Sequence, residues 1–379
     1  MGQPPTTWRS RSVVADLIRE AARVSTQTWS AQQAKVLRRI VRCQTGELGA
    51  HLLVCDDCDK GVVVPNSCRD RHCPRCQRKA QADWAEARAA RVLPVPHFQL
   101  VFTLPAELRV LALRHPRELY DAFFAAVAET LHVLGDQRLG ARLGFTAVLH
   151  TWNRELLLHP HLHVLVSAGG LGADGRRWVS TGQRFLFPVK VMRVLYREKL
   201  LTRLELLVRE RAVTLQPWAF RELRRRVRTK SWRIHVERPE GRGPEQVVRY
   251  LARYVYRVAI DDRRVVAFDD DTVTFVTRGT ATRTVARAEF LRRFLSHVLP
   301  AGLRKTRHFG LYAPGHVNGA LVAARARLTD EPNDTELDEH EDEEISEPSV
   351  APPCPHCGSA STSWASWSLA SPKGRRSGW

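Results

Sequence analysis

Between Val13 and Val41 apolar side chains recur every three to four positions among Ala, Arg and Gln, a period that predicts one or two amphipathic helices. A second helical stretch is expected over residues 79–92, closed by Pro94 and Pro96. The period then shortens. "HFQLVFTLP" (97–105) reads as a strand, residues 107–135 as helices, and "FTAVLHTW" (145–152) as another strand. "HLHVLVSAGGL", beginning at His161, is a further strand that ends at a glycine turn. Residues 189–213 are helical and basic, "SWRIHVE" (231–237) is a strand, and Pro244 opens a helix holding "EQVVRYLARYVYRVAI" (245–260). "VVAFDDDTVTFVTRG" (265–279) reads as a hairpin turning at its aspartates.

Beyond about Arg327 the periodicity stops, and acidic, Ser, Pro and Gly residues take over. The pattern predicts an α/β (α+β) protein in three parts. Residues 1–92 form a helical, cysteine-rich recognition domain, and residues 93–327 a catalytic domain with an antiparallel sheet flanked by helices. Residues 328–379 form an acidic, disordered tail.

Charge adds a partner class. The 379 residues carry 59 Lys and Arg against 40 Asp and Glu, a net +19. Residues 330–347 hold eleven carboxylates and no Lys or Arg, so residues 1–329 hold 56 basic against 29 acidic side chains, or +27. Such a surplus repels itself unless a polyanion offsets it, and nucleic acid is the common polyanion. A ribosomal, membrane-surface or polyphosphate partner fits the charge equally well. No run nears the roughly 18 consecutive apolar residues of a membrane span, and the N-terminus lacks the apolar core of a secretory signal. A cytoplasmic protein is expected, associated with the nucleoid when bound to DNA.

The eight cysteines fall into two clusters, six between Cys43 and Cys76 and two at Cys354 and Cys357. In a reducing compartment such clustering favours metal over disulfides. "CDDC" (55–58) and "CPRC" (73–76) flank fourteen residues, which is close to the spacing of a tetrahedral thiolate site, so Cys55, Cys58, Cys73 and Cys76 are expected to hold one Zn²⁺. Cys43, His51, Cys68 and His72 are zinc-ligand types left over. They form a second site, or else the cysteines are small buried hydrophobes and the histidines surface or DNA-facing groups. For Cys354 and Cys357 no matching second pair follows. Arg69, Arg71, Arg75, Arg78 and Lys79 lie among the knuckles and suit a nucleic-acid-binding zinc module.

In "LHPHLHVLVSAGG" (158–170) alternation puts His161 and His163 on one strand face and Leu162 on the other. Two imidazoles about 7 Å apart can converge on one cation, although cross-strand packing explains a His-x-His equally well. His159 shares the parity, but Pro160 interrupts the ladder. On the helix of residues 245–260, Gln246, Tyr250 and Tyr254 form one stripe, and Arg249, Arg253 and Arg257 the adjacent one. Tyr256 lies about 200° around the helix from Tyr254 and reads as packing. A phenol near pKa 10 is a poor nucleophile unless a phosphate is polarised by metal and held by cations. The histidines are suited to Mg²⁺ or Mn²⁺, and the arginines to the transition-state charge.

Five motifs occur in order: "NSCRDRHCPRCQ", "LVFTLPAELR", "HPHLHVLVSAGGL", "GPEQVVRYLARYVYRVAI" and "RHFGLYAPG". Over about residues 15–320 the chain resembles the two-tyrosine HUH transposases of rolling-circle insertion sequences. The resemblance implies an HUH endonuclease domain in which His161 and His163 bind Mg²⁺ or Mn²⁺. It makes Tyr250 and Tyr254 the nucleophiles that form 5′-phosphotyrosine links with single-stranded donor and target DNA at element ends. It also offers Gln246 as a third metal ligand. Two features depart from the pattern: "CPHCG" begins like a zinc ribbon without a second cysteine pair, and Tyr256 stands where relatives carry histidine. Two competing readings are a plasmid replication initiator or relaxase using the same chemistry, and a zinc-containing DNA-binding protein without nuclease activity.

Overall fold

The structure, a computed structural model, describes residues 6–7, 12–24, 28–77, 92–181, 186–237, 252, 254–329, 354–359 and 364–369. The helix expected over residues 79–92, apart from Val92, lies outside the described residues. So does half of the one over residues 245–260, including Gln246, Arg249, Tyr250 and Arg253, and in the described half the helix stops at Val255 instead of running to Ile260.

The N-terminal helical pattern resolves into two helices, Val13–Val24 and Ala31–Arg42. Ser30 and Gln33 close a capping box at the second, side chain to backbone in both directions, which satisfies two otherwise orphaned amides. The first helix is capped from far away in sequence. Asp262 Oδ1 accepts from Ser12 Oγ at 2.8 Å and from the Val14 amide at 2.9 Å, placing an anion at the helix N-terminus. A short strand, β1 (Thr6–Thr7), runs parallel to β3 (Gly61–Pro65), which is the return strand of a hairpin begun by β2 (Ala50–Cys55).

The central sheet is antiparallel, as the alternation of apolar positions predicts. Its members are β4 (His97–Thr103), β5 (Ala141–Trp152), β6 (Leu158–Gly172), β7 (Trp178–Ser180) and β8 (Ile234–Glu237), with a later strand, Thr306–Gly310, on the β5 edge. From that edge the order runs through β5, β6 and β4 to β8, with β7 beside β6. One face presents Phe98, Leu100, Phe102, Phe145, Ala147, Leu149, Leu162 and Val164 to the helices Pro116–Leu134 and Val189–Arg209, which return Phe123, Phe124, Tyr196 and Leu200. Each such side chain contributes about 1.5–3 kcal/mol of burial free energy, so this layer holds the sheet rigid. The opposite face carries the histidines.

A second sheet follows. The hairpin expected over residues 265–279 forms as β9 (Val265–Phe268) and β10 (Thr272–Val276), and β11 (Thr282–Ala286) adds a third strand. The helix Arg287–Leu295, absent from the sequence reading, covers it. The last central strand is then β12 (Thr306–Gly310). Gly310 ends it at φ +57°, where an added Cβ would stand 1.8 Å from the Leu143 carbonyl oxygen, so the glycine of "RHFGLYAPG" is a requirement of backbone crossing.

The expected boundary near residue 92 does not separate two cores. Leu17, Ile18, Val36 and Ile40 of the N-terminal helices pack with Phe275, Phe290 and Phe294 and with Cys43, Cys68, Cys73 and Cys76 in one buried cluster. The reason is that neither the small sheet nor the two helices can bury its apolar face alone. The tail also departs from expectation: β13 (Trp364–Leu369) pairs antiparallel with β2 along its whole length. The helix Ala320–Thr329 precedes the acidic stretch. Among the described residues no helix is long and apolar enough to cross a membrane.

Two buried histidines make the fold acid-sensitive. His97 donates from Nδ1 to the Val95 carbonyl and accepts from the Tyr312 hydroxyl at 2.7 Å, and His297 donates from Nε2 to the Leu156 carbonyl while Thr151 supplies its hydroxyl. Burial pulls both down to about 4. The unfolded chain, near 6.5, binds more protons than the folded one between those values. The stabilisation is therefore complete above pH 6.5 and is lost as pH falls toward 4, by roughly 3 kcal/mol for each histidine. Urea midpoints measured from pH 7.5 to 4.5 should drop steeply below 6.5. A flat profile would mean that neither imidazole stays neutral in the fold.

Candidate active site and cysteine clusters

The register of β5 against β6 sets His150 opposite His161 and Val148 opposite His163. Cross-strand partners share a face, so three imidazoles, not two, stand together on the side away from the helical layer. Ring centroids lie 5.4 Å (His150 to His161), 4.7 Å (His150 to His163) and 5.0 Å (His161 to His163) apart. One ligand nitrogen from each falls within 4.8 Å of the others. His150 was missed because its strand, "FTAVLHTW", offers a single histidine. Only the register reveals its company.

The partners of these rings decide which nitrogens remain available. His161 Nδ1 donates to the His159 carbonyl at 2.7 Å, which leaves its Nε2 as a lone pair. His150 Nε2 donates to the Tyr254 carbonyl at 2.7 Å, which leaves its Nδ1. His163 Nδ1 is buried without a hydrogen-bond partner, an orphan of the kind a cation would satisfy. Burial first, then neighbouring positive charge, lowers all three: His161 to about 4, His163 to about 3, and His150 well below its ordinary value. At neutral pH they are uncharged donors, as metal binding requires.

Ala252, Tyr254 and Val255 are helical, and Tyr254 and Val255 lie over this face, packed on Val148 and Leu165. The Tyr254 ring sits 4.2 Å from the His163 ring, centroid to centroid, and its hydroxyl accepts from Gln99 Nε2 at 3.4 Å. Arg257 is exposed nearby and adds to the depression of His161 and His163.

Sequence reasoning also missed Lys305, two positions before "RHFGLYAPG". Its ammonium donates to the carbonyls of Val255 at 3.1 Å and Arg257 at 2.9 Å, at the C-terminal end of the helical turn that carries Tyr254. Loss of hydration, reinforced by Arg71 and Arg257, brings it down to about 7. If Tyr254 acts on DNA beside a metal, as the family resemblance implies, Lys305→Met should lower the strand-cleavage rate about tenfold through a misplaced Tyr254 while Mn²⁺ affinity stays unchanged, and Lys305→Arg should recover most of it. Rates and metal titrations on the three proteins decide this. An equal loss of Mn²⁺ affinity in Lys305→Met would contradict a role at the tyrosine.

The sulfurs are grouped differently from the sequence expectation. Cys55 and Cys58 do not meet Cys73 and Cys76. One group is Cys43, Cys68, Cys73 and Cys76, and the other is Cys55, Cys58, Cys354 and Cys357, each within 4.8 Å. The β2–β3 hairpin causes this. Six residues of β2 at about 3.3 Å each carry Cys55 and Cys58 roughly 20 Å from the hairpin base, where Cys43 enters and Cys68 leaves. In the base group, Cys68 and Cys76 sulfurs are 3.8 Å apart, and the Cys68 amide donates to Cys43 Sγ at 3.4 Å. Contact with Cys43, then Cys68 and Cys76, holds the Cys73 thiol far above its usual range, so four thiolates need a cation to coexist there.

Neither leftover histidine joins a sulfur group. His51, on β2, is half-buried with an unpartnered Nδ1. His72 bonds through Nδ1 to Asp70 at 2.8 Å and accepts from the Leu299 amide at 3.3 Å, so it joins the knuckle loop to the turn before β12. Two of the arginines assigned to DNA have internal partners: Arg71 donates to the carbonyls of Leu303 and Pro300, and Arg75 to that of Cys43. Arg69 is exposed at φ +53°.

A family profile described as "Transposase zinc-binding domain" matches residues 14–104, and one described as "Putative transposase" matches residues 144–319. "Putative transposase y4qJ" of Sinorhizobium fredii (strain NBRC 101917 / NGR234) is 38% identical over 339 residues, which cover 84% of this chain and 85% of that protein. "Transposase for insertion sequence element IS801" of Pseudomonas savastanoi pv. phaseolicola is 28% identical over 302 residues, covering 74% and 70%. No solved structure matches the chain significantly. A zinc-binding domain followed by a transposase domain defines a DNA transposase. The chain belongs to the two-tyrosine transposase family of insertion sequences, and its base cysteine group, inside the matched zinc-binding segment, fits a structural Zn²⁺.

Proposed function

We propose that this transposase cleaves and rejoins single-stranded DNA through 5′-phosphotyrosine links, with Tyr254 as one nucleophile and Tyr250, four positions earlier in the sequence, as the other. The observation that carries the reading is the Tyr254 ring, 4.2 Å from the ring of His163 at a cluster of three neutral imidazoles. The Tyr254 oxygen attacks the phosphorus, the bond from phosphorus to the 3′-oxygen breaks, and a 3′-hydroxyl leaves. The 5′-phosphate stays on the tyrosine, so the ester survives for rejoining without ATP. Gln99 donates to the phenol oxygen and holds it beside the histidine cluster. Arg257, just past the helical turn of Tyr254, offsets phosphate charge, with Arg249 and Arg253 as the further cations that the sequence supplies.

His150, His161 and His163 form the donor set for a divalent cation, with His150 in the third place that the family resemblance offers to Gln246. Such a cation supplies positive charge against the scissile phosphate oxygens. An all-imidazole set suits softer divalent ions better than Mg²⁺, which prefers oxygen, so of the two expected metals Mn²⁺ is favoured.

The test is covalent capture. Single-stranded DNA from the element ends, incubated with the protein and Mn²⁺, should yield an adduct stable in denaturing gels. The Tyr250→Phe, Tyr254→Phe double variant should yield none. No adduct from the unaltered chain, with DNA binding intact and independent of metal, would identify a binding protein without nuclease activity.

A further inference from the structure

The second sulfur group has no place in the reading so far. It lies partly outside the matched zinc-binding segment, and the base group by itself accounts for a zinc-binding domain. We propose that Cys55, Cys58, Cys354 and Cys357 hold a second Zn²⁺, which staples the C-terminal segment to the tip of the β2–β3 hairpin.

Distances carry the first part of the argument. Cys55 Sγ lies 3.8 Å from Cys357 Sγ, and Cys58 Sγ lies 3.8 Å from Cys354 Sγ. Four sulfurs around Zn²⁺ at about 2.3 Å have a tetrahedral edge of about 3.8 Å. A disulfide needs about 2.05 Å, so these are not bonded pairs. Cys58 and Cys354 are 296 positions apart in sequence, and chance does not bring two Cys-x2-Cys turns into that register.

Backbone geometry carries the second part, because the two turns are built alike. The Asp59 amide donates to the Cys55 carbonyl at 2.8 Å, and the Gly358 amide to the Cys354 carbonyl at 2.8 Å. The Cys55 amide donates to the Lys60 carbonyl at 3.1 Å, and the Cys354 amide to the Ser359 carbonyl at 2.8 Å. The fourth residue after the first cysteine is left-handed in both, at φ +54° for Asp59 and +73° for Gly358. The His356 amide also points at Cys354 Sγ, 3.4 Å away, as it would toward a thiolate. Two matching knuckles face each other, and Ser359 Oγ donates across the gap to the Asp57 carboxylate.

The sheet supplies the third part. β13 begins five residues after Ser359 and runs down β2 from Trp364 opposite Cys55 to Leu369 opposite Ala50. Knuckle and strand together complete on the C-terminal segment what "CDDC" and β2 begin near the N-terminus. The tail cysteines therefore do have their second pair.

Zinc content of the purified full chain tests this. Two zinc ions per chain are expected, with X-ray absorption showing only sulfur neighbours near 2.3 Å. Cys354→Ser, Cys357→Ser should retain one zinc, the same sulfur shell and the monomer or oligomer size of the unaltered chain. One zinc in the unaltered chain, or two in the variant, overturns the proposal. A zinc-dependent dimer that the variant loses also overturns it, since the site would then lie between chains. A measurement without substitution guards against misfolding. Cys357 is exposed, yet in the native chain it should resist alkylation until a chelator is added. Fast alkylation of Cys357 in the zinc-loaded chain refutes the site.

Discussion

His163→Ala is expected to reduce formation of the DNA adduct about a thousandfold or more while leaving the fold in place. The imidazole is buried, neutral and without a hydrogen-bond partner at Nδ1, so its removal strands no protein group and creates only a small gap beside Val101 and Val148, its cross-strand neighbours. What it removes is one of three donors to the proposed cation, whose charge stabilises the transition state by several kcal/mol. At 1.36 kcal/mol per decade, that is about three decades of rate. Single-turnover cleavage of single-stranded DNA reads the loss, and Mn²⁺ titration followed by electron paramagnetic resonance reads its cause. His161→Ala and His150→Ala should behave alike, because the three rings form one set. A His163→Ala protein that cleaves within tenfold of the unaltered chain would make the cluster cross-strand packing only.

The second large effect is on stability. Cys73→Ser should release one zinc and lower the unfolding temperature of the whole body, not only of the N-terminal module. Structural Zn²⁺ contributes about 10–16 kcal/mol in small modules, and native domains are stable by only about 5–15 kcal/mol. The base group has no separate core to confine the damage, since Cys43, Cys68, Cys73 and Cys76 belong to the same buried cluster as Phe275, Phe290 and Phe294. The knuckle loop is also tied through His72 to Leu299 and through Arg71 to Pro300, close to the chain that delivers Lys305 to the Tyr254 turn. Calorimetry should show one broadened, lowered transition and a fall in adduct yield. An unfolding temperature within a few degrees of the unaltered chain would mean that the sulfurs act as ordinary buried side chains.

Much of the fold was legible because it rests on local periodicity. The helices at residues 13–41, the strands around residues 97, 145 and 161, and the hairpin at residue 265 all follow from apolar spacing, and His161 and His163 share a face because alternation allows nothing else. The helix Arg287–Leu295 was not legible, because its sequence "RAEFLRRFL" alternates charge with apolar residues and acquires its buried face only against the second sheet and the helix Val13–Val24. His72 carries the right chemistry for a ligand, but its partners, Asp70 and Leu299, are known only once residues 72 and 299 meet.

Sequence alone determined the family and the residue types on offer for a site, because the five motifs and the thiol pairs are each short and contiguous. Tertiary structure decided which of them stand together. His150 joins His161 through strand register, and Cys55 leaves Cys73 because a rigid hairpin holds its tip far from its base. Cys354 returns across 296 positions to Cys58 because β2 has an open edge for β13. Spacing along the chain constrains neighbours within a turn or two. Pairing across a sheet costs only loop closure, which grows slowly with length, so the most distant cysteines could become ligands of one site.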